Sequence, residues 1–122
     1  MIYFISLAMV FMHIVDDYYL QGILASMKQK SWWEKNAPDE LYRNDYRMAL
    51  IMHSMSWSFM VLLPVAIFYG FNVGWSFGIA FAINAVIHGV VDDLKANKRK
   101  INLITDQSIH MVQIFITVAV LL

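Results

Sequence analysis

The sequence has no cysteine among its 122 residues, so disulfides, thiolate nucleophiles and cysteine metal sites are excluded. Charge is also scarce, at 15% of residues with a formal net charge of zero, and we therefore expect no nucleic-acid partner. A cleavable signal peptide is not predicted, because the first apolar stretch lacks a preceding basic region and runs into Asp16 and Asp17. Hydrophobic residues, in contrast, make up 60% of the chain, which is typical of an integral membrane protein.

Four hydrophobic segments lie at about residues 1–24, 48–69, 73–94 and 103–122. At about 1.5 Å per residue, each is long enough to cross a hydrocarbon core of about 30 Å. The connection between the second and third segments is so short that these two should form a helical hairpin. We therefore predict an all-α protein, a four-helix transmembrane bundle that forms one domain over residues 1–122 in the inner membrane. A homo-oligomer is left open.

The connection between the first and second segments, residues 26–47, predicts a cytoplasmic segment at the level of the lipid headgroups. It contains Trp32 and Trp33, and aromatic side chains favour this level. Asn36, followed by Pro38 and Asp39, predicts a helix that begins there and continues into the second span.

The basic residues predict the orientation of the bundle, because all of them fall in the first and third connections. The second connection and both termini have none. The positive-inside rule makes the basic end cytoplasmic and places both termini outside. The nine residues are Lys28, Lys30, Lys35, Arg43, Arg47, Lys95, Lys98, Arg99 and Lys100.

Polar residues recur at four-residue spacing inside the apolar segments, which puts them on one helix face. In the third span the stripe is Asn84, His88 and Asp92. In the predicted topology all four histidines lie at a similar depth, about 7 to 12 Å from the cytoplasmic end, with the aspartates about a turn shallower. This predicts a polar His/Asp core near the cytoplasmic side. The other members are His13, Asp17 and Gln21 in the first span, His53 in the second, and Asp106 and His110 in the fourth.

A lone histidine in an apolar span is usually a packing residue, but four at one depth, three of them paired with aspartate, favour a site. An ionised aspartate at the centre of a membrane helix costs about 2.5 to 3.5 kcal/mol, and every basic side chain is predicted to lie outside the spans or at their edge. A metal cation would satisfy the carboxylates and imidazoles together. The candidate ligands are His13, Asp17, His53, His88, Asp92, Asp106 and His110.

These ligands exceed the four protein positions of a closed tetrahedral site. Either two ions lie about 3.5 to 4 Å apart, or one ion is surrounded by outer His–Asp pairs. Nitrogen and oxygen donors without sulfur suit zinc, manganese or iron. The predicted cofactor is therefore one or two divalent transition metal ions.

The first and third spans each contain a His-x3-Asp motif, His13 with Asp17 and His88 with Asp92. The two spans run in the same direction, and a span with a histidine follows each. This is consistent with two helical hairpins related by a parallel repeat. Coincidence is an equally open explanation.

The motifs resemble those of a family of small four-span bacterial and phage membrane proteins that is filed as a domain of unknown function. The family pattern is H-x3-D-F-x2-Q, a histidine in the second span, H-x3-D-x2-K and D-Q-x2-H. Tyr18 stands where the family usually has Phe, and Asp16 and Asp93 double the aspartates of the first and third motifs. More distantly, the chain is similar to membrane-bound metal-dependent hydrolases with H-x3-D motifs. The resemblance implies a metal site and suggests hydrolysis.

The predicted function is a metal-dependent hydrolase that acts at the cytoplasmic leaflet on a small or lipid substrate, with membrane lipids as partners. A bound ion generates the nucleophile from water, and Asp16 or Asp93 accepts the proton. Lys95 could hold an anionic group such as a lipid phosphate, and Gln21 and Gln107 are also predicted to contact the substrate. Two alternatives stay open: a proton or metal-ion transporter or relay, and a structural, metal-stabilised interaction protein.

Overall fold

The computed structural model describes residues 1–122 and consists of helices and connecting turns, without strands. The predicted all-α class with four long apolar helices is confirmed, and each of the four is long and apolar enough to cross a membrane. The elements are α1 (Ile2–Val15) with a π-helical turn (Asp16–Leu20), α2 (Leu24–Met27), α3 (Lys30–Asn36), a 3-10 turn (Glu40–Tyr42), α4 (Asp45–Phe68), α5 (Trp75–Ala96) and α6 (Leu103–Leu121).

The helix predicted to begin at Asn36 is absent, and this prediction is wrong. Asn36 instead ends α3, where its side-chain amide donates to the carbonyl of Trp32 at 2.8 Å. The chain then forms only the short 3-10 turn before α4 begins after Asn44. A side chain that bonds backward to its own helix cannot cap the next one, and α4 has its N-cap at Asn44, eight residues later than predicted.

The four long helices form a closed ring, in which α4 contacts α1 and α5 while α6 contacts α5 and α1. A buried apolar cluster fills the half of the ring away from the basic residues. Many large apolar side chains face outward, among them Phe4, Leu7 and Phe115. An outward apolar surface of this extent is unusual for a protein in water. The buried cluster consists of Ile5, Met9, Trp57, Val61, Val65 and Ile114.

The π-helical turn explains how two consecutive aspartates both face the interior. Neighbouring residues in an α-helix point about 100° apart, so one of them would normally face outward. Here the amide of Gln21 bonds to the carbonyl of Asp16 at 3.0 Å, five residues back, and Asp16 and Asp17 are both buried. Turns of this kind are frequent at functional sites. Gly22, with a φ of +52°, then redirects the chain toward α2.

The segment around α2 is fixed to the basic end of α5. The Asn97 side chain donates to the carbonyl of Lys28 at 3.0 Å and accepts from the amide of Lys30 at 2.7 Å. The indole of Trp33 donates to the carbonyl of Met27 at 2.7 Å. These contacts hold Lys28 at the basic end of the bundle.

Candidate metal centre

Three side chains from three helical segments converge on one point inside the bundle. The Nε2 atoms of His53 and His88 are 3.1 Å apart, and Oδ1 of Asp17 lies 3.2 Å from the first and 3.7 Å from the second. Ligands at about 2.0 to 2.1 Å from a tetrahedral ion are roughly 3.4 Å from one another. All three residues are buried, so the trio has the spacing and the shielding of a metal site.

Asp92 lies beside this trio. Its Oδ2 is 3.4 Å from Nε2 of His53 and 3.6 Å from Nε2 of His88. Its Oδ1 is 3.8 Å from Nε2 of His110, and His88, Asp92 and His110 form a second group that could hold an ion. Because the two groups share His88, they overlap and are not separate sites.

His13, a predicted ligand, belongs to neither group. The indole N–H of Trp57 donates to Nδ1 of His13 at 2.7 Å, and Nε2 of His13 lies 2.9 Å from Oε1 of Gln107. An indole nitrogen can only donate, so Nδ1 is the acceptor and Nε2 carries the proton that His13 donates to Gln107. Both ring nitrogens therefore already have protein partners.

Two further carboxylates lie beside histidines. Asp16 lies behind His53, whereas Asp106 faces the same nitrogen of His110 as Asp92 does. Oδ2 of Asp16 faces Nδ1 of His53 at 3.6 Å, while its Oδ1 accepts from Ser56 at 2.6 Å. Asp106, the other predicted ligand outside both groups, has Oδ1 3.3 Å from Nε2 of His110. A carboxylate behind an imidazole commonly orients a metal-binding histidine. Asp16 is therefore positioned to orient the imidazole of His53. It lies on the opposite side of that ring from the trio, so it is not positioned as a catalytic base.

Two lysines reach the carboxylates, which the sequence analysis did not predict. The Nζ atom of Lys28, buried at 6% exposure, lies 2.7 Å from Oδ2 of Asp92. Nζ of Lys95 lies 2.9 Å from Oδ2 of Asp106. Lys28 lies outside the four long helices and Lys95 near the end of α5, as expected, but Gly22 turns the chain so that Lys28 reaches back to Asp92.

The charge of the cluster is still not balanced. Four buried carboxylates, those of Asp16, Asp17, Asp92 and Asp106, face two lysine ammonium groups, which leaves two negative charges when the histidines are neutral. Buried polar atoms without a hydrogen-bond partner are also concentrated here, and an uncompensated group of this kind is costly. A divalent cation fits both the charge and the donor atoms. The unpartnered atoms are Asp16 Oδ2, Asp17 Oδ1, His53 Nδ1, His88 Nδ1, Asp106 Oδ1 and His110 Nε2.

The residues predicted to contact substrate have protein partners. Gln21 donates to the carbonyl of Asp17 and accepts from Lys28, while Gln107 bridges His13 and Asp106. Lys95 is paired with Asp106 but is partly exposed. The candidate base Asp93 lies away from the histidines. It accepts from Asn97 at 2.8 Å and lies 3.7 Å from Lys98.

Trp57 is a member of the cluster that the sequence analysis missed. Its ring stacks on His88 with centroids 4.3 Å apart and planes at 15°, and its N–H serves His13. The signal was available, because Trp57 lies four residues after His53 and hence on the same helix face. Trp57 also belongs to the apolar cluster and is its member next to the histidines, so the site is closed on that side.

A buried hydrogen-bonded chain extends from His110 toward the other end of the bundle. Oε1 of Gln113 lies 3.3 Å from Nδ1 of His110, and its amide donates to the carbonyl of Asn84 at 2.8 Å. The Asn84 amide donates in turn to Thr117 at 2.9 Å. The predicted stripe residue Asn84 is thus part of a helix-to-helix network and does not contact the candidate ion ligands.

No protein-family model, curated protein or solved structure matches the chain. The resemblance to the four-span family of unknown function stays a prediction, and the metal centre is supported by geometry, burial and charge.

Proposed function

We propose that the protein crosses the inner membrane four times and binds one divalent transition metal ion through Asp17, His53 and His88, as a metal-dependent hydrolase at the cytoplasmic leaflet. The observation that carries this proposal is the convergence of the three donor atoms to separations of 3.1, 3.2 and 3.7 Å in a buried site. The second ligand group overlaps the first at His88, and the excess charge is that of one divalent ion. One ion is therefore favoured over two.

The membrane part of the proposal rests on the four long helices and on the position of the basic residues. The outward apolar surface covers these helices, while Lys28 and Lys95 lie at one end of the cluster. In a bilayer that surface faces lipid and the basic end faces the cytoplasm. Cysteines at Asn36 and Lys98 should then be shielded from an impermeant thiol reagent in intact cells, and a cysteine at Asn72 should react. The opposite labelling pattern would reverse the orientation.

Three protein ligands leave a position open, as in catalytic metal sites. An ion in the site would supply a polarised water as nucleophile. Asp92 lies beside the trio, with Oδ2 3.4 Å from Nε2 of His53 and 2.7 Å from Nζ of Lys28. We assign it the role of proton acceptor in place of Asp16 and Asp93, since Asp16 stands behind His53 and Asp93 lies away from the histidines. A structural site would instead use Asp92 as its fourth ligand.

The substrate reaches the site from the basic end, because Trp57 and the apolar cluster close the other side. Asp17, at 8% exposure, is the most exposed member of the trio, and Gln21 and Lys28 lie on that side of it. The ammonium groups of Lys28 and Lys95 favour a substrate with an anionic group, such as a phosphate ester. Entry requires Lys28 to exchange part of its contact with Asp92 for the substrate.

The experiment combines metal analysis with hydrolysis. Protein purified in mild detergent without chelator should contain about one equivalent of zinc, manganese or iron. It should release phosphate from phosphatidic acid in mixed micelles. His88→Ala should lose both metal and activity, and Asp92→Asn should keep the metal but lose at least about 100-fold in rate. Asp92→Asn protein that loses its metal, together with wild-type protein inactive on phosphate and carboxylic esters, would instead establish a structural ion.

A proton or metal-ion relay is the second candidate, favoured by the buried chain from His110 through Gln113 and Asn84 to Thr117. Asn84→Leu interrupts this hydrogen-bonded chain at a point distant from Asp17, His53 and His88. In proteoliposomes the relay predicts that this variant loses proton or metal flux, and the hydrolase predicts that it keeps its hydrolytic rate.

A further inference from the structure

A groove of about 680 Å³ runs along the outside of the bundle between α4 and α5. Its walls are mainly apolar, and its volume is within the range of small-molecule sites. It is concave and has charged residues at one end only. The apolar wall residues that define it are Leu50, Ile51, Met55, Phe81, Ala85 and Val86.

The length of the groove matches one leaflet of a bilayer. Along α5 it extends from Phe81 to Asp93, and along α4 from Tyr46 to Met55. At about 1.5 Å per residue these stretches are roughly 18 and 14 Å long. Half of a hydrocarbon core of about 30 Å is roughly 15 Å. An extended acyl chain of one leaflet is therefore the apolar ligand of suitable length.

The charged end of the groove complements a phosphate. Arg47 and Lys98 both line it there, and both side chains are exposed. Asp93 lines the same end, 3.7 Å from Lys98, and its negative charge lowers the net charge of this end to about +1. Tyr46 contacts Arg47 through its hydroxyl at 3.3 Å, which places an additional polar group beside the arginine. This is the end predicted to lie at the cytoplasmic headgroups.

The groove does not open into the metal centre. Ser54 and Gly89 line its floor, and a Cβ atom on Gly89 would lie 2.8 Å from Oγ of Ser54, so α4 and α5 are in close contact there. His53 and His88, the preceding residues on the two helices, are fully buried behind this contact. A ligand in the groove would touch the back of the helices that carry two ion ligands without reaching the ion.

We propose that the groove between α4 and α5 is a specific binding site for one anionic phospholipid, whose acyl chain lies along the apolar walls and whose phosphate contacts Arg47 and Lys98. The proposal is independent of the hydrolase, because this lipid is a bound partner and not the substrate.

Native mass spectrometry of the full-length, metal-loaded protein tests the proposal. The protein in detergent is titrated with phosphatidylglycerol or with phosphatidylcholine of the same acyl chains. One phosphatidylglycerol should bind with a preference of roughly 5- to 30-fold. The lower value is expected from the net charge of about +1, and the upper value from two basic residues that act fully. The double variant Arg47→Gln/Lys98→Gln should lose this preference. Lys35→Gln/Lys100→Gln, which removes the same charge away from the groove, should keep it.

A second variant tests the apolar part. Ala85→Phe fills the groove and should weaken binding of both lipids while the metal content stays at the wild-type level, which verifies the fold. Equal binding of the two lipids by the wild-type protein would overturn the proposal. It would also be overturned if the groove variant abolished a dimer and left lipid binding unchanged, since a second copy of the chain would then be the occupant.

Discussion

The two His-x3-Asp motifs have the same spacing and opposite environments. His13 has both ring nitrogens hydrogen-bonded to protein, whereas His88 directs Nε2 into the candidate metal centre and has no partner at Nδ1. The aspartates differ as well. Asp17 contributes an oxygen without a hydrogen-bond partner to the trio, and Asp92 is paired with Lys28.

Trp57 accounts for much of the difference between the histidines. Its single N–H can serve only one acceptor, and it serves His13, while its ring face stacks on His88. His13 is thereby held in hydrogen bonds to protein, whereas Nε2 of His88 is available to bind an ion. The candidate ligand set takes its aspartate from the first motif and a histidine from the second. Equal spacing therefore determines which face a residue occupies, and the neighbouring helix determines its role.

The largest expected effect separates the two histidines directly. His88→Ala should lower metal content from about one equivalent to less than roughly a tenth, because it removes a ligand from a set of three. His13→Gln should keep nearly all the metal, because His13 is not in the set. Elemental analysis after dialysis measures both. Equal losses in the two variants would show that the motifs are equivalent.

The pairing of Asp92 with Lys28 distinguishes the aspartates. Lys28→Met should lower the free energy of unfolding by about 3 to 5 kcal/mol, because a buried carboxylate loses its partner. Thermal and denaturant unfolding in detergent measure the loss, and Lys28→Met/Asp92→Asn should recover a large part of it. Lys30→Met is the control, since the side chain of Lys30 forms only an exposed pair with Glu34 at 3.8 Å. A Lys28 variant as stable as the control would mean that the ion pair does not form.

Asp16 and Asp93, the doubled aspartates of the two motifs, should also differ. Asp16→Asn should weaken metal affinity by about 10- to 100-fold, because it alters the carboxylate behind His53. Asp93→Asn should leave the affinity unchanged, because Asp93 lies near Lys98 and not near a histidine. Competition with a chromophoric chelator gives both constants. A larger effect at Asp93 would contradict this assignment.

The smallest expected effect concerns the support of His13. Gln107→Leu should cost about 1 to 2 kcal/mol of unfolding free energy, because the N–H of His13 loses its acceptor, and it should leave metal content unchanged. Unfolding and elemental analysis on the same preparation test this. If metal is lost as well, then His13 is coupled to the ion more closely than its hydrogen bonds indicate.

The sequence by itself determined the helical class, the four long apolar helices and the inward face of the polar stripes. Hydrophobic length and four-residue spacing are local properties, and a helix converts them directly into span and face. It also determined that Asp17, His53, His88, Asp92 and His110 would be close together, because each is the polar exception on an apolar helix.

Only the tertiary structure decided which of these residues are free to bind an ion. The turn at Gly22 brings Lys28 to Asp92, and the π-helical turn brings Asp16 behind His53. The indole N–H of Trp57 donates to His13, so Nδ1 of His13 is no longer available to an ion. Each contact joins residues at least 37 positions apart, the separation of Asp16 and His53, and depends on side-chain reach and helix rotation. Spacing along one helix has no information about these quantities, because they are set where the helices pack against one another.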